Sequence, residues 1–424
     1  MGLAPNLAAV TAHNYAIFPK VTAFRSRKLA YAVAKRTGGG TKAVAATLGG
    51  TFHMNFDFSD DQKYLKEQAR KFLSEQSSMT VVRAVLNDEQ KSHDAGLWKA
   101  IAEMGWLGAA IPEEFGGLGL GELELCVLAE EMGRSLAPVP WASTVYFFAE
   151  AIKIAGTDAQ KTAILPKLAE GGVIGCVAAS EGPGEPRASN LKTIFDGTSV
   201  TGMKVPVTDG DCATHALVLA KHQDATSLVI VDLSGAGVEA KAIKTFDPTR
   251  SHATLTFTKA PAQLLGEAGD GEALLQRIYD RAAVLLAFEQ IGGSQACLDM
   301  ATDYAKGRYA FSRQIGSFQA IKHKLADMYV ALEIARSNAF YGAWALSSDA
   351  PELPLAAAAA RIAACDAYYL ASKENIQTHG GMGFTWDVDC HLYYRRAKLL
   401  AVQAGAPSLW KEKLVRRLEM RNAA

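Results

Sequence analysis

Gly117, Gly119 and Gly121 stand two residues apart, a spacing that could bring backbone N–H groups against the phosphates of a dinucleotide. That chemistry needs a strand before the glycines and a helix after them, inside a βαβ unit. Here the run follows Pro112-Glu113-Glu114-Phe115, a loop, and no βαβ pattern surrounds it, so the dinucleotide reading is rejected. The chain holds no phosphate-loop signature, no H-E-x-x-H pair and no nucleophile elbow. Its six cysteines (Cys126, Cys176, Cys212, Cys297, Cys365, Cys390) include no C-x-x-C pair. They fit buried thiols in a reducing compartment better than a disulfide frame or a zinc site. Lys+Arg and Asp+Glu both number 44, so the net charge is zero and neither nucleic acid nor an anionic membrane is implied as a partner. A phosphate-bearing partner has to be held by local groups.

The elements that would position such groups change character along the chain. Ser59-Asp60-Asp61-Gln62 is a capping box, followed by a helical stripe of Tyr64, Leu65, Ala69, Phe72 and Leu73. Helical pattern returns around 94–104, 121–134, 142–155 and 158–170, giving an α-helical domain over 54–170. Short segments rich in Val, Leu, Ile, Thr and Phe follow at 173–179, 191–195, 199–205, 216–220, 227–232 and 253–258. Asp196-Gly197, Asp209-Gly210 and Asp247-Pro248 separate them, which predicts a small β-barrel or sandwich within 171–265. From 266 to 424 the pattern is helical again, with breaks at Gly271, Gly316 and Gly380–Gly383, and the long proline-free stretches suggest a four-helix bundle with faces to bury against another subunit. The expected fold class is α+β, in the order α, β, α. No apolar run is long enough for a membrane span. Residues 1–53 contain no Asp or Glu and seven Lys or Arg. That composition resembles a mitochondrial transit peptide, with the matrix as location. The alternative is that Met54 opens the true protein, with a cytoplasmic location.

Pro112-Glu113-Glu114-Phe115-Gly116-Gly117, Arg308-x-x-Phe311 and Gln377-x-His379-Gly380-Gly381 follow one another along an α, β, α chain, and together they resemble the acyl-CoA dehydrogenase family over about 56–420. Pro112-Glu113-Glu114-Phe115-Gly116-Gly117-Leu118-Gly119 is similar to its helical-domain loop, and Phe246-Asp247-Pro248-Thr249-Arg250 and Leu265-Gly266-Glu267 to its strand ends. The most specific blocks are Arg308-x-x-Phe311, Gln314-Ile315-Gly316-Ser317-Phe318-Gln319-x-Ile321-Lys322-His323 and Gln377-x-His379-Gly380-Gly381-Met382-Gly383-Phe384. Glu131-Met132-Gly133-Arg134-Ser135-Leu136-Ala137-Pro138 resembles the bacterial subgroup of two-chain α2β2 assemblies acting on steroid side-chain or other bulky acyl-CoAs.

The resemblance implies FAD as cofactor, an acyl-CoA as substrate, an electron-transfer flavoprotein as acceptor, and a homo- or heterotetramer. It places Ser180 near the pyrimidine edge of the flavin and Thr208 near N5. It sets Arg308 on the pyrophosphate, Phe311 and Gln319 toward the nucleotide, and Gln377 with Gly380 and Gly381 at the phosphates, across a subunit boundary. Two departures stand out: Pro206 replaces the family's flavin-stacking Trp, and Glu181-Gly182-Pro183-Gly184-Glu185-Pro186 replaces its Glu-Pro-x-Ala-Gly-Ser-Asp.

The family's reaction removes an α-proton with a carboxylate base while the β-hydride passes to the flavin. Ala404 and Ala282 occupy both positions where the resemblance places that base. Among nearby carboxylates (Asp280, Glu289, Asp387, Asp389), Asp280 is two residues from Ala282, about 200° round the helix. Glu289 is two turns on, on the same side, about 10 Å along the axis. The leading expectation is an FAD-binding chain whose partner supplies the base. The rivals are a homotetramer using Asp280 or Glu289, and a non-catalytic scaffold subunit.

Overall fold

The computed structural model describes residues 58–423, so both readings of residues 1–53 lie outside it. Helix α1 (Asp60–Gln76) starts at the expected capping box: Ser59 Oγ accepts from the Gln62 amide, and Gln62 Oε1 accepts from the Ser59 amide. Ala69 and Leu73 face the core, with Leu65 and Phe72 packed at its edge. Then come α2 (Met79–Leu86), α3 (Ala95–Glu103), α4 (Glu122–Arg134), a buried π-helical stretch (Ala142–Ala149) that runs into α5 (Glu150–Ala155), and α6 (Asp158–Ala169).

Strands β1 (Gly175–Ala178), β2 (Ile194–Phe195), β3 (Ser199–Thr208), β4 (His215–His222), β5 (Ala225–Asp232) and β7 (His252–Leu265) form a closed sheet, with β6 (Val238–Ile243) paired on β7. Closure runs through β4-β2-β3-β7-β5 and back to β4, which leaves β1 beside β4. Inward residues alternate along the strands, and Phe195, Val207, Val218, Val231, Leu255 and Phe257 fill the interior.

The third segment is helical. It comprises α7 (Gly271–Gly307), a two-residue-strand hairpin β8 (Tyr309–Ala310) and β9 (Arg313–Gln314), α8 (Gln319–Ser347), α9 (Leu353–His379), α10 (Cys390–Val402) and α11 (Pro407–Ala423). The breaks fall at the glycines and prolines the sequence marks. At 37 residues α7 spans about 55 Å, and its middle is buried on all sides between α4, α8 and α9. Where α4 and α7 cross, their main chains touch. A Cβ added at Gly133 would lie 1.8 Å from the Glu289 carbonyl oxygen, and one at Gly292 1.8 Å from that of Glu130. Among the described residues, no helix is long and apolar enough to cross a membrane.

Candidate functional site

One end of the helical bundle gathers the candidate phosphate-binding residues. Arg308 caps α7 in an extended conformation, its amide donating to the Tyr304 carbonyl and its own carbonyl accepting from Ile315. The β8–β9 hairpin then turns through Phe311 and Ser312, both at left-handed φ, and leaves Phe311 91% exposed. Gln319 is the first residue of α8 and lies on the surface. Tyr304, one turn before Arg308, stacks on His379 with centroids 4.1 Å apart, and its hydroxyl lies 3.9 Å from Met382 Sδ. That contact fastens the Arg308 end of α7 to the turn that ends α9. Gln377 is exposed there, Gly380 has φ +62°, and a Cβ added at Gly380 or Gly381 would meet nothing within 4 Å. Among the described residues the Arg308, Gln319 and Gln377 side chains have no hydrogen-bond or ion-pair partner. The result is an exposed guanidinium, two amides and an open glycine main chain at one place, a donor set suited to phosphate.

The closed sheet holds the other two candidates, and no described contact links them to the bundle end. Ser180 follows β1 and spends its hydroxyl locally, donating to the Gly182 carbonyl at 2.9 Å. Thr208 ends β3, its Oγ1 3.1 Å from His252 Nε2 on β7. Between them Lys204, fully buried, donates to the Ala179 carbonyl and to Glu181 at 2.8 Å. Burial pushes the Lys204 ammonium down to about 8, with Glu181 opposing. Against the upward push of burial, hydrogen bonds from Lys204, Thr193 and Lys192 hold the Glu181 carboxyl at about 2. This pair pins the start of the variant loop 181–186 to β3. Pro206 lies beyond Lys204 on the exposed side of β3.

Asp209, next to Thr208, accepts from Ser143 Oγ at 2.5 Å inside the protein. Burial pushes its carboxyl up to about 6, more than the Arg250 charge and the Ser143 hydroxyl pull it down. The native state therefore holds a proton that the unfolded chain releases from about pH 4 upward. Stability contributed by that proton is present at low pH and is lost as pH rises through the window from 3.8 to about 6. Asp209→Asn removes the ionisation, so urea unfolding of the variant should decline less than wild type between those pH values. Parallel profiles would show that Asp209 ionises normally.

The two carboxylates near Ala282 are both engaged. Asp280 is gripped by Arg417 Nη2 at 2.9 and 2.8 Å through its two oxygens and also accepts from Gln276 at 3.0 Å. Burial pushes it up to about 6 in spite of Arg417. Glu289 is fully buried, with Oε1 2.7 Å from Arg250 Nη2 and 3.6 Å from Arg396 Nη1. Arg396 also donates to Asp247 and to Thr249, each at 2.7 Å. Loop 247–250 is thereby locked to α7 and α10. The Asp247–Arg250 motif is visible in the sequence, but its partners are not, since they lie 39 and 149 positions away. Asp389 pairs with Arg83 and Asp387 is exposed. Ala282 is buried within the core, and Ala404 sits at φ +60° in the turn between α10 and α11, its carbonyl accepting from Trp410 Nε1. Among the described residues no group of His, Cys, Asp or Glu could hold a metal ion.

Comparison with known proteins decides the lineage. The acyl-CoA dehydrogenase N-terminal domain matches residues 59–172 and the acyl-CoA dehydrogenase C-terminal domain residues 269–418. The acyl-CoA dehydrogenase IpdE2 of Mycobacterium tuberculosis is 32% identical over 369 residues, covering 85% of this chain and 96% of its own. The chain belongs to the acyl-CoA dehydrogenase family. Among solved structures, a variant of the Tcur3481–Tcur3483 steroid ACAD aligns with a TM-score of 0.79 at 31% identity, covering 86% of this chain and 99% of its own. The ChsE4–ChsE5 complex from Mycobacterium tuberculosis aligns with a TM-score of 0.79 at 25% identity, over 86% and 99%. The mycobacterial relatives lend no support to the mitochondrial location.

Acyl-CoA dehydrogenases are FAD-dependent oxidoreductases that act on CH–CH bonds, and the bundle end of this chain fits that cofactor. Its exposed Arg308 guanidinium, its open Gly380–Gly381 main chain and the amides of Gln319 and Gln377 suit a pyrophosphate. FAD bound there would supply the two-electron acceptor for substrate oxidation. If Arg308 contacts the pyrophosphate, Arg308→Ala removes a charge-assisted hydrogen bond of about 1.5–3 kcal/mol. FAD affinity should then weaken roughly tenfold to hundredfold with the circular dichroism spectrum unchanged. Retention of FAD at wild-type affinity would remove Arg308 from the site.

Proposed function

We propose that this chain is the FAD-binding, base-lacking chain of an α2β2 acyl-CoA dehydrogenase that introduces a double bond into a bulky, steroid-type acyl-CoA. The observation that carries the reading is the pair Ala282 and Ala404, methyl groups at both positions where the family resemblance sets a carboxylate. The remaining nearby acids are held by arginines, Asp280 by Arg417 and Glu289 by Arg250 and Arg396. Asp280 is drawn toward Arg417 and Gln276, which engage its charge as ion-pair and hydrogen-bond partners rather than leaving it turned to a substrate.

In this reading Arg308, Gln377 and the Gly380–Gly381 turn bind the pyrophosphate, with Phe311 and Gln319 toward the nucleotide. Ser180 and Thr208 line the edge of this chain's flavin, and the Arg308 group reaches across the subunit boundary to a neighbour's FAD. Phe246, Met382, Phe384 and Trp386, all about half exposed or more, lie around the same bundle end, with Arg395 set over the Phe246 and Trp386 rings. Apolar side chains this exposed are expected to be covered by another chain. The steroid ACAD and the ChsE4–ChsE5 complex among the relatives support both the substrate class and the two-chain assembly. The acceptor proposed is an electron-transfer flavoprotein.

A second reading, a homotetramer with Asp280 as base, is favoured by one observation: burial pushes that carboxyl up to about 6. Visible flavin absorbance and dye-linked activity of the purified chain, alone and with a co-expressed partner, separate these readings from a scaffold role. Flavin with activity only in the co-expressed pair supports the proposal. Flavin and activity in the lone chain support the homotetramer, and no flavin in either preparation leaves the scaffold.

A further inference from the structure

Thr208 and His252 are register partners in the antiparallel pair of β3 and β7. Both nitrogens of the His252 ring are in use: Nδ1 lies 3.1 Å from the Arg250 carbonyl oxygen, and Nε2 lies 3.1 Å from Thr208 Oγ1. A carbonyl oxygen can only accept, so Nδ1 must carry the proton. Burial pushes the ring's pKa below the ordinary histidine value, outweighing the upward pulls of the Arg250 carbonyl, Asp247 and Asp211; the Arg250 charge adds to the lowering. The ring is therefore neutral near pH 7. With Nδ1 protonated, Nε2 is bare and accepts. The hydroxyl of Thr208 has a single proton, and this contact uses it.

We infer that His252 is a positioning residue that fixes the Thr208 hydroxyl as a hydrogen-bond acceptor toward the flavin ring. The inference rests on the proposed placement of Thr208 at the ring's N5 edge. An oxidised ring nitrogen offers only a lone pair, which finds no donor in a hydroxyl turned toward His252. The reduced ring carries an N–H at that position, which finds the Thr208 oxygen free. The arrangement favours the reduced flavin and so raises its midpoint potential. Replacing the imidazole by an apolar group releases the hydroxyl to rotate and donate to the oxidised ring, which reverses the preference.

The test is the flavin midpoint potential of the FAD-loaded protein, purified with its co-expressed partner, for wild type, His252→Leu, Thr208→Val and the double variant. His252→Leu should lower the ratio of reduced to oxidised flavin at fixed potential about fivefold to tenfold, ~20–30 mV for a two-electron couple. In the Thr208→Val background the same substitution should have no further effect, since His252 acts through the hydroxyl. A second measurement needs no flavin: ¹⁵N NMR of the histidine side chains should show His252 with Nδ1 protonated and Nε2 bare. An Nε2–H tautomer overturns the inference, as does a His252→Leu shift of equal size with and without the Thr208 hydroxyl. If Thr208→Val shifts the potential and His252→Leu does not, the inference fails while the flavin placement stands. If Thr208→Val leaves the potential at the wild-type value, or no FAD binds, the placement itself fails.

Discussion

The purified chain, supplied with FAD, an acyl-CoA and an electron-accepting dye, is expected to turn over about 10²–10⁴-fold more slowly than the same chain co-expressed with a partner that carries a glutamate at the corresponding position. That range is what general-base catalysis typically contributes, and this chain presents methyl groups at Ala282 and Ala404. Ala404→Glu is expected to restore at most a small fraction of the rate. Position 404 stands in a tight turn at φ +60°, a conformation that already carries the Cβ penalty in alanine, so the restored carboxylate acts only as far as the surrounding wall takes its longer side chain. Asp280→Asn should leave the activity of the two-chain enzyme unchanged within a factor of a few, because that carboxylate serves Arg417. Robust turnover by the lone chain, abolished by Asp280→Asn or Glu289→Gln, would replace the proposal with the homotetramer.

A comparably large effect is expected on stability at Glu289. Glu289→Ala leaves the guanidinium groups of Arg250 and Arg396 buried at 1% exposure, with Asp247 as the remaining carboxylate partner. Several of their N–H groups, Arg250 Nε and Nη1 among them, already have no hydrogen-bond partner. Breaking a buried ion pair from one side costs about 3–5 kcal/mol, chiefly through the charge left uncompensated. Urea unfolding should show a loss of that size for Glu289→Ala. Adding Arg250→Met should recover much of it, since the stranded charge goes too. Equal losses in the single and double variants would mean that the cluster acts through packing alone.

Features written in local sequence were legible and features made by distant partners were not. Ser59 and Gln62 are three residues apart, so the start of α1 could be read, and the glycines at 271 and 380 likewise marked the ends of α7 and α9. Strand β6 was missed because Val238-Glu239-Ala240-Lys241-Ala242-Ile243 is poor in β-formers and pairs only with β7, which supplies what its own propensity lacks. The short helix α2 followed α1 too closely to register as a separate period, and the β8–β9 hairpin is only two residues per strand. At the candidate site, Arg308 and Gly380–Gly381 are proposed through motif wording, but the stacking of Tyr304 on His379 that brings them together has no one-dimensional signature. His252 was passed over for the same reason: its partner Thr208 is 44 positions earlier and meets it only because two strands share a register.

The glycine crossing of α4 and α7 bears on which parts of this protein can diverge. Because Gly133 and Gly292 bring the two backbones into direct contact, their separation is set by main-chain atoms and no side-chain exchange can close it further. Any larger residue at either position must drive the helices apart along a buried seam. A lineage that adapts to substrates of a new shape is thereby denied one route, sliding or re-spacing these two helices. It is left with exchanging side chains around a fixed axis, a search confined to volume and polarity.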